Sequence, residues 1–129
     1  MTQSLTHHRI DADLCGEIVE LGAGWATTGL NASEAMRVDD RGLIHGSFVF
    51  GLADYAAMLA VNDPNVVLGG ADVRFLAPIL VGDEIVSTAR VVEEKGKKRV
   101  IEVTAAVGGK EVLSGTLTAF VLEQHVLDG

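Results

Sequence analysis

One stretch, "IHGSFVFGLADYAAMLAV" from Ile44 to Val61, limits what this chain can fold into more than any other. Its length, its Ala content and its lack of internal Pro favour helix over strand. Apolar residues cover nearly every face of that helix, and a helix hydrophobic all round has to be buried. "NDPN", Asn62 to Asn65, ends it, because Pro64 cannot continue a helix. The run is interrupted and too short to span a bilayer as a helix, so no membrane partner is expected. A single carboxylate, Asp54, sits in its middle. Burying a charge without a partner is costly, so Asp54 has either a partner or a task.

The segments around this helix read as strands. "GEIVELGAGWATTGLNAS", Gly16 to Ser33, predicts two short strands about the Gly22–Gly24 turn, with Trp25, Thr27 and Thr28 as strand-favouring residues. "DDRGLIHG", Asp39 to Gly46, is a loop rich in turn formers. Four further runs follow the helix: Val66 to Pro78, Gly82 to Glu94, Lys97 to Val107 and Lys110 to Leu122. In the third, Ile101, Val103, Ala105 and Val107 alternate with Glu102, Thr104 and Ala106, the period of a half-buried strand. "EKGK" and "GGK" separate runs at hairpin distances. The first fifteen residues read as a loose polar lead-in. The expectation is one α+β domain over residues 1–129, in which one antiparallel sheet wraps one long buried helix, because nothing else can bury it. Such a sheet has edges, and pairing with a second copy would cover one, so a homodimer at least is expected, with a homotetramer equally compatible.

Charge and composition narrow the function. Net charge is −8, which opposes the basic footprint of a nucleic-acid binder. Cys15 is the only cysteine, which excludes an intrachain disulfide and a thiolate metal cluster. His7, His8 and His125 lie near the ends, His7 and His8 are adjacent, and no set of Asp, Glu and His at metal-ligand spacing accompanies them, so no metal site is expected. The start lacks an apolar h-region, so a cytoplasmic protein is expected.

Two stretches, "GLIHGSFVFGLADYA" from Gly42 to Ala56 and "ADVRFLAPILVGDEIVSTARV" from Ala71 to Val91, resemble the hotdog-fold thioesterases, and among them the phenylacetate-pathway type of acyl-CoA thioesterase. The family pattern is Asn or Gln, a spacer, Gly, two residues, then His-Gly-Gly, with Asp or Glu nine residues after that His. Gly42, His45, Gly46 and Asp54 fall at those spacings, and Phe75, Pro78, Gly82 and Asp83 meet the later Phe-x-x-Pro and Gly-Asp pattern. Three residues depart from it: Ser47 replaces the second glycine, Asp39 stands where the family prefers Asn or Gln, and Met58 stands where some members place a water-positioning Thr. The stretch from Ala71 to Leu122 is also similar to the ligand domain of the malonyl-CoA-responsive repressor of fatty-acid synthesis, a sensor of the same fold. The acidic charge argues against a complete repressor.

The resemblance implies hydrolysis of an acyl-CoA thioester, without cofactor, at a site shared between subunits. Asp54 would be the base for water or the nucleophile, since an apolar setting raises a carboxylate's pKa. Ser47, Phe50, Gly51, Asp54, Ala57, Met58 and Val61 share its helix face by spacing. A purely structural Asp54 would pair with an Arg such as Arg74 or cap a neighbouring loop. Gly46 and Ser47 would open the helix, where free N–H groups and the dipole favour a developing oxyanion; an ordinary start with Ser47 near the cap is the alternative. His45 would position the loop or the carbonyl, or be a structural histidine. Asp39, Ser47, Met58 and Arg74 are candidate substrate contacts. Lys95, Lys97, Lys98 and Arg99 read as a solvated hairpin turn, with coenzyme A phosphates as the other option. Cys15 reads as a packing residue. Two further functions fit this fold: a non-catalytic acyl-CoA-binding or sensor module, and, last, a hydratase or dehydratase using His45 and Asp54.

Overall fold

The computed structural model describes residues 2–129. Eight elements follow one another: α1 (Ala12–Cys15), β1 (Glu17–Gly22), β2 (Trp25–Asn31), α2 (Gly46–Val61), β3 (Val66–Phe75), β4 (Glu84–Lys95), β5 (Lys98–Val107) and β6 (Lys110–Val121). Two short 3-10 turns, Glu34–Met36 and Val126–Asp128, complete the chain. The six strands form one sheet in the order β1-β2-β4-β5-β6-β3, with every pairing antiparallel. This is the α+β hotdog fold, a curved sheet around one central helix.

The strands alternate as their sequences require. In β4, Ile85, Ser87 and Ala89 are buried against the helix while Glu84, Val86, Thr88 and Arg90 face out. Helix α2 packs chiefly on β2, β4 and β5. Its Leu52, Ala53, Ala56, Ala57, Met58 and Leu59 are almost wholly buried, and they meet Ile85, Ile101, Leu113 and Leu117 from the sheet. Two buried hydroxyls are satisfied inside this core: Thr28 Oγ1 donates to the Leu52 carbonyl at 3.2 Å, and Ser87 Oγ donates to the Thr104 carbonyl at 2.9 Å. The helix ends at Asn62, which adopts left-handed backbone (φ 52°) and donates its N–H to the Met58 carbonyl.

The strands on either side of "EKGK" and "GGK" pair as the hairpins expected of them. β3 crosses the sheet and pairs with β6 at the far edge. The expectation of a loose lead-in needs correction. Asn62 anchors it through Leu5 N–H to Oδ1 and Nδ2 to the Gln3 carbonyl, both at 2.8 Å. Asp11 then caps the short α1 by accepting from the N–H groups of Asp13 and Leu14. The Asp11 cap is local, but the Asn62 bonds were concealed because Asn62 lies at the far end of α2 in the sequence.

Because α2 sits toward the β2–β5 side, the inner face of β3 is left uncovered. Leu68 and Phe75 pair with Ala119 and Leu113 on that inner face, yet both are exposed. β3 and β6 approach closely at Gly115, where an added Cβ would collide with the Asp72 carbonyl oxygen and the Val73 Cα. Gly115→Ala therefore lowers unfolding free energy by about 1–3 kcal/mol through overpacking, read as an earlier urea midpoint with the slope unchanged.

Candidate active site

The backbone entering α2 is held on both sides. Ile44 N–H donates to the Ile79 carbonyl at 2.8 Å and His45 N–H to the Met36 carbonyl at 3.0 Å. His45 is the N-cap residue, but its side chain makes no capping bond, and Ser47 makes none in its place. Among the described residues the N–H groups of Gly46 and Ser47 have no acceptor. Helix N-termini of this kind carry roughly half a positive charge, so α2 opens with unspent donors.

Those donors border an apolar crevice of about 400 Å³ lined by Ile44, Gly46, Val49, Phe75, Leu76 and Ile79 among others. Gly46 has a local reason to be glycine: an added Cβ would lie 3.3 Å from Phe75 Cε1. Phe75 itself is 57% exposed, a large ring left at the mouth of the crevice. The sequence marks Phe75 as a strand residue of the Phe-x-x-Pro pattern, and its closeness to Gly46 is visible only in the tertiary structure.

Asp54 lies further along the same helix. Its Oδ1 is shut off from solvent and has no hydrogen-bond partner among the described residues. Burial pushes its pKa up from the usual carboxylate range to about 6. The pairing with Arg74 does not form. Arg74 is aligned with Ser114 on the outer face of β3, away from the helix, and the ion pairs among the described residues are Arg37–Glu34 and Arg99–Glu94. Asp54 is not part of the lining of the Gly46 crevice.

The remaining candidates are scattered. Asp39 accepts from the N–H groups of Arg41 and Leu43 at 2.9 and 3.2 Å, so its carboxylate orders its own loop. Met58 is 1% exposed and belongs to the core. The His45 ring is exposed and lies edge-on to Phe48, with centroids 6.4 Å apart. Arg99 is spent on its turn, bonding Glu94 and the Gly96 carbonyl. No group of three or more metal-ligating side chains occurs among the described residues, and no helix is long and apolar enough to cross a membrane.

Comparison with known proteins matches residues 41–113 to the family described as the Thioesterase superfamily. The chain is similar to the crystal structure of an uncharacterized protein from Pyrococcus horikoshii, with 46% identity, a TM-score of 0.97 and 98% of each chain covered. It resembles a mutant structure of the phenylacetic acid degradation protein PaaI from Thermus thermophilus at 26% identity and a TM-score of 0.77, over 84% of this chain and 95% of that one. Among curated proteins it is 49% identical, over 92% of its length, to the methylthioribose-1-phosphate isomerase of Aquifex aeolicus, but it spans only 26% of that protein. It is 26% identical to the transcription factor FapR of Caldanaerobacter subterraneus over 92% of this chain and 60% of that protein.

The desolvated carboxylate has a consequence for stability. Its folded-state pKa is raised, so the folded state holds the proton more tightly than the unfolded chain does. The penalty is absent below about pH 4, grows between there and about pH 6, and is complete above it. Asp54→Asn is expected to raise unfolding free energy by roughly 2 kcal/mol at pH 8 and by far less at pH 4. Urea titrations of both proteins at the two pH values read this directly.

Proposed function

This chain belongs to the thioesterase superfamily, and we propose that it hydrolyses an acyl-CoA thioester to the free acid and coenzyme A. The observation that carries this reading is that one helix holds both functions the reaction needs, and both are unspent. Gly46 and Ser47 offer N–H donors without acceptors, and Asp54 offers a buried oxygen without a donor.

The helix also dictates how they combine. Asp54 lies eight residues after Gly46, which places it about 12 Å further along the axis. A carbonyl oxygen on the Gly46 N–H and a water on Asp54 must both lie about 3 Å from their partners. Twelve ångströms is too far for one copy to serve both ends of one thioester. The reading is therefore an interfacial site in a homo-oligomer, with Gly46 from one protomer and Asp54 from its partner. The uncovered inner face of β3, with Leu68 and Phe75 exposed, supports a second copy there.

The steps follow. The thioester carbonyl oxygen accepts from Gly46 N–H, and the apolar crevice beside it holds the carbon chain. Asp54, ionised above its raised pKa, takes a proton from water as the water oxygen bonds the carbonyl carbon. The tetrahedral oxyanion is stabilised at the helix N-terminus. It collapses with cleavage of the C–S bond, and the thiolate takes the proton from Asp54. In the nucleophilic variant Asp54 attacks the carbonyl carbon and expels the coenzyme A thiolate as the C–S bond breaks; water then cleaves the mixed anhydride, giving the free acid and the Asp54 carboxylate, and the proton released goes to the thiolate. His45 holds the turn that presents Gly46. These steps call for no metal or redox cofactor.

The likeness to FapR over most of this chain favours a second reading, an acyl-CoA-binding sensor module without turnover. Release of free thiol from a panel of acyl-CoAs, short, long-chain and phenylacetyl, separates the two. Wild type is expected to turn over, with log kcat/KM rising with pH and levelling above about pH 6. Asp54→Asn is expected to lose about a hundredfold or more. Thermal stabilisation by a thioester without thiol release would establish the sensor. Mixing tests the shared site: Gly46→Val and Asp54→Asn are each inactive alone, and their co-refolded mixture recovers about a quarter of wild-type activity, since half the dimers are mixed and each has one intact site. A mixture as inactive as its parents would place both groups in one chain.

A further inference from the structure

The crevice beside Gly46 limits the chemistry of the group that can enter it. Its floor is Ile44, Val49 and Ile79, each almost wholly buried, and its mouth is Phe75 and Leu76, each about half exposed. Among the described residues, none that lines it has a polar side-chain atom. Three backbone positions along it offer no donor either. Leu76 N–H donates to the Val112 carbonyl and Ile44 N–H to the Ile79 carbonyl, both at 2.8 Å, and Pro78 has no N–H. A hydroxyl or carboxylate carried into such a crevice gives up its water and finds no partner there, which costs more than one buried methylene gains.

Phe75 adds a limit on shape. It closes β3 on the inner face, opposite Leu113 of β6. Its ring stands against the helix start: a Cβ built on Gly46 would lie 3.3 Å from Cε1, 3.6 Å from Cδ1 and 3.9 Å from Cζ. One whole edge of the ring, and not a single flexible tip, therefore closes the space beside Gly46. A thioester carbonyl held by Gly46 N–H has its α-carbon within reach of that edge. An unbranched α-carbon passes it. A methyl branch there has to push the ring aside, and the pairing of β3 with β6 fixes the backbone that carries the ring. More than half of the ring is exposed in the single chain, so a carbon chain laid along it removes apolar area from water.

We infer that the acyl group this site takes is an unsubstituted, unbranched hydrocarbon chain, and that Phe75 is the residue that selects its shape. Polar substituents are disfavoured because the crevice has no partner for them. α-Branches are disfavoured because the Phe75 ring leaves no room. This deepens the hydrolase reading and rests on it for the seat of the carbonyl on Gly46.

The test measures kcat/KM of the full-length protein for butyryl-, hexanoyl-, octanoyl-, 3-hydroxyoctanoyl- and isobutyryl-CoA. Kd values for the same thioesters are measured by calorimetry on Asp54→Asn, in which binding is read apart from turnover. Both quantities are expected to improve from butyryl to octanoyl by up to about fourfold per methylene, the worth of one fully buried CH₂. 3-Hydroxyoctanoyl-CoA is expected to fall about tenfold below octanoyl-CoA, and isobutyryl-CoA about tenfold below butyryl-CoA. Phe75→Ala is expected to bring isobutyryl and butyryl together, and Phe75→Leu to restore part of the gap. These are ratios within one protein, so a general loss of stability or activity does not move them. If no thioester releases thiol, the hydrolase reading fails, and the Kd ratios decide chain selectivity by the same comparisons. The inference is overturned by a flat response from butyryl to octanoyl, or by 3-hydroxyoctanoyl-CoA matching octanoyl-CoA. An isobutyryl gap that Phe75→Ala leaves unchanged, or no binding of any of the thioesters, overturns it as well.

Discussion

The enclosure of α2 is the constraint on which the rest of the structure depends. The helix has almost no polar face, so the sheet has to curl around it. Small residues at Ala53, Ala56, Ala57 and Ala60 let the strands approach closely. Thr28 then locks the helix in rotation by donating to the Leu52 carbonyl from within the core. Once that rotation is set, the residues of the opposite face, Phe50, Gly51 and Asp54 among them, are only half covered. The fold thereby buries most of the helix while keeping one strip within reach of a ligand or a second copy.

That strip explains how an acid survives in an apolar helix. Asp54 is desolvated enough to raise its pKa to about 6, but it is not neutralised by a partner. Desolvation without compensation is a poor solution for stability. It is a good one for a carboxylate that must take a proton near neutral pH. The same helix leaves its first N–H groups uncapped, where a side-chain cap is ordinarily worth about 1 kcal/mol. Two stabilising options are thus left unused on one element. On the proposed reading both serve a thioester, and the axial distance between them ties chemistry to assembly.

The lead-in shows a different economy. A polar segment gains order by bonding to the helix C-cap and by placing the His7 imidazole on the buried Tyr55 ring. The left-handed backbone it imposes on His7 (φ 58°) is unfavourable in isolation and is maintained by Asn62, Thr6 and Tyr55 together.

Much of this was legible in the residues themselves. Apolar continuity from Ile44 to Val61 is a local property, and it specified a buried helix; Pro64 and Asn62 specified its end. Period-two alternation likewise located the strands, and the family resemblance carried by His45, Gly46 and Asp54 pointed to the candidate chemistry. The pairing of β3 with β6, the closeness of Phe75 to Gly46, the separation of Arg74 from Asp54 and the anchoring of the lead-in on Asn62 were decided only by the tertiary structure. Each depends on contacts between residues far apart in the chain. Such contacts are chosen by how the whole sheet closes on its helix, and no local pattern encodes them.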